Sequence, residues 1–231
     1  MSKKKLVVFT GAGISAESGI KTFRDAGGLW EEVSIEEVAT FEAWEANRDK
    51  VLDFYNQRRK QVFETFPNAA HLLLAELELE FDVQVITQNV DDLHERAGSS
   101  NVLHLHGEIM KARSTADEDL VYQLKTWDLN NGDTCEKGSQ LRPHIVWFGE
   151  MVPNMEIANL MAAKADLFVV IGTSLNVYPA AGILNFVPPT VPRWLLDPGD
   201  FDLQYYGQLK HIKKTAVQGA NTLKEELRKH L

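Results

Sequence analysis

The chain of 231 residues contains a single cysteine, Cys135. One cysteine cannot form an intrachain disulfide or a cysteine-rich metal site, so we expect a reducing, cytoplasmic location. The chain also lacks an apolar run long enough to cross a bilayer, and we expect no membrane partner. The chain has 24 Lys and Arg residues and 33 Asp and Glu residues, so its net charge is −9. We therefore expect no nucleic-acid partner, while the oligomeric state stays open.

The stretch 5–24 gives the first indication of a ligand site. The apolar run 6–9 predicts a central parallel strand buried on both faces, and Gly11 and Gly13 end that strand abruptly. Small residues at such a turn allow backbone N–H groups to approach a phosphate. The third glycine of a dinucleotide fingerprint is replaced by Ala16, a variant that this fingerprint allows. The two glycines by themselves are equally compatible with a simple tight turn.

Strand and helix patterns alternate along most of the chain. Beyond the first strand, we predict strands at 83–87, 102–107, 144–148, 166–171, 193–196 and 214–217, and helices at 41–63, 69–80, 155–164, 180–186 and 221–230. The segment 108–141 is polar and predicted to be mostly irregular. Polar residues follow four of the strands, and the carboxyl ends of parallel strands meet at the edge of a sheet where ligands bind.

This alternation predicts an α/β protein with a Rossmann-like, doubly wound parallel sheet and a smaller lobe formed by two insertions. We expect residues 1–231 to form one catalytic domain. Its large, nucleotide-binding lobe would comprise about 1–30, 71–106 and 142–231, and its small lobe about 31–70 and 107–141. Within the first range, a glycine-bearing stretch at 25–30 is predicted to be a mobile loop over the site.

Six short motifs occur in one order, namely GAGISAESGI, TFR, TQNVD, LHLHG, RPHIVWFGE and GTSLNVYPA. Together they resemble the sirtuins, the silent-information-regulator family of NAD-dependent protein-lysine deacylases, over nearly the whole chain. The resemblance implies NAD as the cofactor and acyl-lysine proteins or peptides as partners. It implies nicotinamide, O-acyl-ADP-ribose and deacylated lysine as products.

The resemblance also implies the binding residues. The pyrophosphate and nicotinamide ribose would contact Gly11, Ala12, Gly13, Ile14, Thr22, Phe23 and Arg24, the nicotinamide pocket would contain Gln88, Asn89 and Asp91, and the adenosine would contact Gly172, Thr173 and Ser174. The acyl-lysine peptide would add as a strand beside Val146, Phe148, Gly149 and Glu150. Asp197 stands where many sirtuins have asparagine, and its carboxylate would accept ribose hydroxyls but repel the 2′-phosphate of NADP.

His106 matches the catalytic base of the family, and we assign Asn89 to the catalytic site as well. In the sirtuin reaction a base activates a ribose hydroxyl, and an imidazole that titrates near neutral pH suits this step. From the residues alone, His94, His104 and His106 are equivalent candidates, since any of them could be a hydrogen-bonded structural imidazole. The match to the His-Gly motif selects His106.

Most sirtuins bind a structural zinc through two cysteine pairs in the segment that here spans 107–141. This segment has one cysteine and no histidine, so we expect no zinc. Ordinary packing must then stabilise the small lobe, and the candidates are Leu120, Tyr122, Leu124, Trp127 and Leu129.

Tyr55 and Arg58 lie three residues apart on a predicted helix, so a phenol and a guanidinium share one face and can converge on one carboxylate. The pair is similar to that of the sirtuin subgroup that prefers succinyl-, malonyl- or glutaryl-lysine. We therefore expect desuccinylase or demalonylase activity to exceed deacetylase activity. The alternative is a core tyrosine beside a solvated arginine.

Two other functions remain open. The same pocket would serve an NAD glycohydrolase or ADP-ribosyltransferase, although the intact peptide-binding motif HIVWFGE argues against that function. A catalytically silent acyl-lysine binding module is the second alternative, and the presence of His106 and Asn89 argues against it.

Overall fold

The computed structural model describes residues 2–22, 33–173, 175, 180–202 and 209–231. The strands are β1 (Lys5–Thr10), β2 (Asp82–Thr87), β3 (Val102–His104), β4 (Gly107–Ser114), β5 (Val121–Gln123), β6 (Leu141–Ile145), β7 (Leu167–Ile171), β8 (Arg193–Leu196) and β9 (Leu209–Ile212). The α-helices are α1 (Gly13–Ala16), α2 (Ile35–Val38), α3 (Phe41–Ala46), α4 (Arg48–Glu64), α5 (Ala69–Leu77), α6 (Leu93–Ala97), α7 (Met155–Ala163) and α8 (Ala216–Arg228), and a 3₁₀ helix spans Ala180–Phe186.

Six of the described strands form a parallel sheet in the order β3-β2-β1-β7-β8-β9. The predicted α/β fold with a doubly wound parallel sheet is therefore confirmed. The strand order reverses between β1 and β7, and in such sheets ligands bind in the crevice at the carboxyl ends of the strands at this point. The turn after β1, which contains the two glycines of the first motif, lies there.

Helices cover both faces of this sheet. Leu6 and Val8 of β1 pack in one core with α5 and α8, whereas Val7 and Phe9 pack in a second core with α7 and the 3₁₀ helix. All four side chains are fully buried. Burial on both faces explains why the strand is a continuous apolar run without alternation.

Three further described strands form a small antiparallel sheet in the order β5-β4-β6. Its core combines residues of α2, α3, α4, β4 and β6. The expectation of mostly irregular structure at 108–141 was wrong for β4 and β5. Strand β6 crosses the predicted boundary of the small lobe at 141 and pairs with β4, so all of its residues belong to the small sheet. The other lobe boundaries stay a prediction.

Other elements begin or end where the sequence did not indicate. The predicted helix 41–63 is interrupted at Asn47, whose side chain accepts a hydrogen bond from the Lys50 N–H and caps α4. The predicted strand at 144–148 ends at Ile145. No strand forms at 214–217, because Thr215 caps α8 and the edge strand β9 precedes it. None of the described helices combines the length and apolar character that a bilayer crossing requires.

A fully buried arginine connects the irregular parts of the small lobe. Arg59 of α4 donates hydrogen bonds to the carbonyl oxygens of Ile109 (2.7 Å) and Trp127 (2.8 Å) and to the Asn56 side chain (2.7 Å). Asn56 in turn donates to and accepts from the backbone of Leu129. Of the predicted packing residues, Leu129 is buried in the core, Leu120, Tyr122 and Leu124 pack partly buried against it, and Trp127 is 41% exposed.

Candidate active site at the carboxyl edge of the parallel sheet

The turns that follow β1 and β7 pack against each other backbone to backbone. The Gly13 N–H donates to the Gly172 carbonyl oxygen at 2.8 Å, and the Gly11 N–H donates to the Ile171 carbonyl oxygen at 3.0 Å. Gly172 has a φ of 62°, and a Cβ atom there would overlap the Ile14 backbone nitrogen. Only glycine fits such an approach. The structure thus brings together the predicted cofactor residues of the two turns, including Ala12 at the N-terminus of α1.

A second set of contacts joins the ends of β2, β3 and β7. The Gln88 side-chain amide donates to the Thr173 hydroxyl at 3.0 Å. The His106 Nδ1 lies 3.0 Å from the Gln88 carbonyl oxygen, and because a carbonyl only accepts, Nδ1 carries the proton of this bond. In the neutral ring, the lone pair is then on Nε2. His106 therefore has the tautomer that a general base acting through Nε2 requires.

Asn89 and Asp91 meet at a serine that the sequence did not single out. The Asn89 amide donates to the Ser15 hydroxyl at 3.2 Å, and this hydroxyl donates to the Asp91 carboxylate at 3.0 Å. The Leu93 N–H also donates to Asp91. Burial raises the pKa of Asp91 to about 6, against these hydrogen bonds, which lower it. The only signal for Ser15 was a hydroxyl two residues beyond Gly13 of the glycine turn.

The second histidine candidate is part of the core. His94 is fully buried, and its Nε2 lies 3.0 Å from the Thr10 hydroxyl. Its ring contacts that of His71, which is equally buried and was not predicted, at a centroid distance of 5.0 Å. Burial lowers the pKa of His71 to about 4 and that of His94 well below its usual value. Both rings are neutral at physiological pH, in keeping with a structural role.

The predicted peptide-binding segment connects the two sheets. The Val146 N–H donates to the His106 carbonyl oxygen at 2.9 Å, so this segment starts beside the candidate base. Phe148 is 43% exposed, whereas the Glu150 carboxylate accepts hydrogen bonds from Arg142 (2.6 and 3.1 Å) and from the Trp147 N–H (2.8 Å). Glu150 therefore shapes the turn around Gly149, which has a φ of 89°.

The predicted acyl-group residues lie next to this segment. The Trp147 indole N–H donates to the Tyr55 hydroxyl at 3.0 Å, a contact that the sequence did not indicate. Burial raises the pKa of Tyr55, so the phenol stays protonated and keeps its proton for a further hydrogen bond. Arg58 is largely buried, and its guanidinium donates to the Gln61 side chain at 2.9 Å. Its positive charge acts on Tyr55, in agreement with the shared helix face.

The remaining predicted residues are more dispersed. The Asp197 carboxylate, at the end of β8, accepts a hydrogen bond from the Gly199 N–H at 2.8 Å. Thr22 is partly buried beyond the end of α1. Phe23, Arg24 and Ser174, and the loop expected at 25–30, lie outside the described residues.

The small lobe contains the single cysteine of the chain, and this cysteine is buried. The Cys135 thiol donates to the Ser114 hydroxyl at 3.3 Å, and in the described part of the chain no three His, Cys, Asp or Glu side chains are grouped as metal ligands would be. The cysteine is thus used as a buried hydrogen-bonding group.

These features define a doubly wound α/β protein with a polar site at its topological switch point. Comparison with known proteins specifies the family. The Sir2 family profile matches residues 11–179. A protein of Bacteroides thetaiotaomicron named NAD-dependent protein deacylase is 52% identical over 229 residues, which cover 97% of this chain and 98% of that protein. The chain belongs to the Sir2 family, and the resemblance of its motifs to sirtuins is confirmed.

Solved structures agree with this assignment. A Sir2 homologue in complex with NAD is 39% identical and superimposes with a TM-score of 0.87, covering 99% of this chain and 91% of that one. A Sir2 protein bound to an acetylated peptide is 30% identical with a TM-score of 0.82, covering 98% and 94%.

Proposed function

We propose that the protein is an NAD-dependent protein-lysine deacylase that acts on acyl-lysine proteins in the cytoplasm and prefers succinyl- or malonyl-lysine to acetyl-lysine. The observation that carries the proposal is the contact between the candidate base and the peptide segment. His106 donates from Nδ1 to Gln88, which is part of the predicted nicotinamide pocket, while its own carbonyl accepts the Val146 N–H. The candidate base His106 is thus hydrogen-bonded both to the predicted nicotinamide pocket and to the predicted peptide-binding segment.

The residues at the sheet edge fit NAD. The turn at Gly11 and Gly13 brings backbone without intervening side chains to the N-terminus of α1, where the dipole of the peptide groups favours phosphate. Asn89 and Asp91 offer an amide and a carboxylate below this turn, and Asp197 offers a carboxylate at the neighbouring strand end. The ribose of bound NAD would supply the hydroxyl that accepts the acyl group. His106 would take the proton of this hydroxyl at Nε2.

The acyl preference is supported by the position of Tyr55. Its hydroxyl is fixed by the Trp147 indole, and this tryptophan lies between the predicted peptide-binding residues Val146 and Phe148. A protonated phenol and the Arg58 guanidinium are the donors that a terminal carboxylate of an acyl chain would need. An acetyl group has no carboxylate that could accept hydrogen bonds from these donors.

The test is a comparison of kcat/KM for acetyl-, succinyl- and malonyl-lysine versions of one peptide, at saturating NAD and with a chelator present. We expect the acidic acyl groups to be favoured at least about tenfold, because hydrogen bonds between charged groups contribute roughly 1.5–3 kcal/mol. Activity on acetyl-lysine alone would retain the deacylase but contradict the preference. NAD cleavage that does not require a peptide would instead favour a glycohydrolase, and binding without turnover would favour a binding module.

A further inference from the structure

His104, two residues before His106, has hydrogen-bond acceptors at both ring nitrogens. Its Nδ1 lies 2.9 Å from the carbonyl oxygen of Asn89, and its Nε2 lies 2.8 Å from the carboxylate of Glu95. A carbonyl oxygen and an ionised carboxylate can only accept, so both ring nitrogens carry protons. His104 is therefore an imidazolium ion, and its buried ring forms an ion pair with Glu95 of α6, whose side chain is 40% exposed.

The surroundings agree with this charge state. Burial is the largest influence on the pKa of His104 and lowers it, but the hydrogen bond and the charge of Glu95 outweigh burial, and the net shift is upward. For Glu95 the same contact outweighs burial in the opposite direction, so the pKa of its carboxyl is lowered. Other charged or titratable groups that act on this pair include Glu108 and Lys111 of β4, Asp91 of the loop after β2, His94 of α6 and His71 of α5.

The two histidines bind consecutive peptide units of one loop. The Nδ1 of His106 donates to the carbonyl of Gln88, and the Nδ1 of His104 donates to the carbonyl of Asn89. The Asn89 side chain extends from this fixed backbone to the Ser15 hydroxyl. His104 is itself held in place, since its carbonyl accepts the Asn154 side-chain amide at 2.8 Å.

We propose that His104, kept charged by Glu95, is a positioning residue that fixes the backbone of Asn89 and thereby the nicotinamide end of the site. This inference rests on the proposed function, since its consequence is a kinetic effect on NAD. We therefore expect NAD turnover to depend on the hydrogen bond from His104 to Asn89. A side chain that fills the space of the imidazole but does not make this bond should not support full turnover.

Two substitutions separate the two hydrogen bonds of the ring. In His104→Asn the amide nitrogen takes about the place of Nδ1, so a donor to Asn89 remains while the contact with Glu95 is lost. In His104→Gln the amide nitrogen takes about the place of Nε2, so the donor to Asn89 is lost. Glu95→Gln keeps the shape of the carboxylate and removes its charge. The exposed Glu225→Gln on α8 is the matched control.

We expect His104→Gln to lower kcat/KM for NAD about tenfold or more, as loss of a charge-assisted hydrogen bond does, with the KM of the acyl-peptide unchanged. His104→Asn is expected to retain clearly more activity than His104→Gln. Equal losses in both variants, accompanied by equal losses in melting temperature, would show that the imidazole only fills space and would overturn the proposal. Activity of His104→Gln equal to that of the Glu225→Gln control would overturn it too.

The protonation state gives a test that does not depend on activity. In an NMR titration of the imidazole rings, with the His104 signal assigned by its loss in His104→Asn, we expect His104 to stay protonated above the usual range of histidine. Glu95→Gln should bring the deprotonation of His104 to lower pH. A neutral His104 in the unsubstituted protein at pH 6 would contradict the proposal. Absence of NAD-dependent turnover with a charged His104 would instead contradict the proposed function.

Discussion

The two sheets of this protein achieve close packing by opposite means. At the carboxyl edge of the parallel sheet, side chains are absent where the turns at Gly13 and Gly172 meet, and backbone contacts backbone. In the small lobe, long side chains bridge the segments, as Arg59 does for β4 and the stretch around Trp127. A turn that admits a ligand has no room for side chains. In the small lobe, by contrast, side chains supply hydrogen bonds to backbone carbonyl groups that would otherwise have no partner.

The substitution with the largest expected effect removes the candidate base and leaves both kinds of packing unchanged. His106→Ala should lower deacylation about a thousandfold, because a general base contributes roughly this factor. NAD binding, measured by calorimetry, and the melting temperature should change little, since His106 is only partly buried and lies at the edge of the sheet. Loss of NAD binding in this variant would contradict the assigned role.

Gly172→Ala tests the packing of backbone on backbone. The added methyl group would overlap Ile14 at a positive φ, and we expect a loss of about 3 kcal/mol in the free energy of unfolding. Gly182→Ala is the matched control, because a Cβ atom there meets nothing within 4 Å and the residue lies in the 3₁₀ helix. Chemical denaturation measures both, and equal stability of the two variants would exclude close packing at the turn.

Arg59→Met tests the other kind of packing. It removes the donor of the buried Ile109 carbonyl and of the partly buried Trp127 carbonyl, and we expect a loss of about 2 kcal/mol in stability. Lys60→Met, at the exposed neighbouring position, should cost less than about 1 kcal/mol even though Lys60 lies over the Trp127 ring. If denaturant titrations gave the same stability for both variants, the bridging role of Arg59 would be refuted.

Arg58→Met has the smallest expected effect and concerns substrate choice. We expect kcat/KM for the succinyl-lysine peptide to fall about tenfold while that for the acetyl-lysine peptide stays nearly constant. The control is Lys60→Met, two positions further along α4. Equal losses on both peptides would assign Arg58 a structural role only.

The contrast between the sheets also explains what could be predicted from the sequence. The strands β1, β7 and β8 are mostly apolar runs that a two-sided core requires, β2 is rich in β-branched residues, and all four were predicted. β4 and β5 were missed because the small antiparallel sheet has a solvated face. Polar residues such as Lys111 and Gln123 are tolerated there and interrupt the apolar pattern of a strand. At the C-terminal end, 209–212 and 214–217 have similar short patterns, and the cap formed by Thr215 decides between them.

The candidate site was predictable to a different extent. The glycine turns, His106 and Tyr55 belong to motifs that are recognisable along the chain. Ser15, His71 and Trp147 were missed, because their roles come from contacts between residues far apart in sequence, such as that between Ser15 and Asp91. No local pattern distinguishes a buried hydroxyl of this kind from an ordinary helix residue.

The segment 146–148 is hydrogen-bonded at its two ends to different parts of the protein. The Val146 N–H is bonded to His106, which follows β3, and the Phe148 N–H is bonded to Ala39, which precedes α3 of the small lobe. A peptide that adds beside this segment would therefore contact residues that are held in place by both parts of the protein. A shift of one of these two parts relative to the other would have to lengthen one of the two hydrogen bonds, so three residues link the position of the segment to both parts.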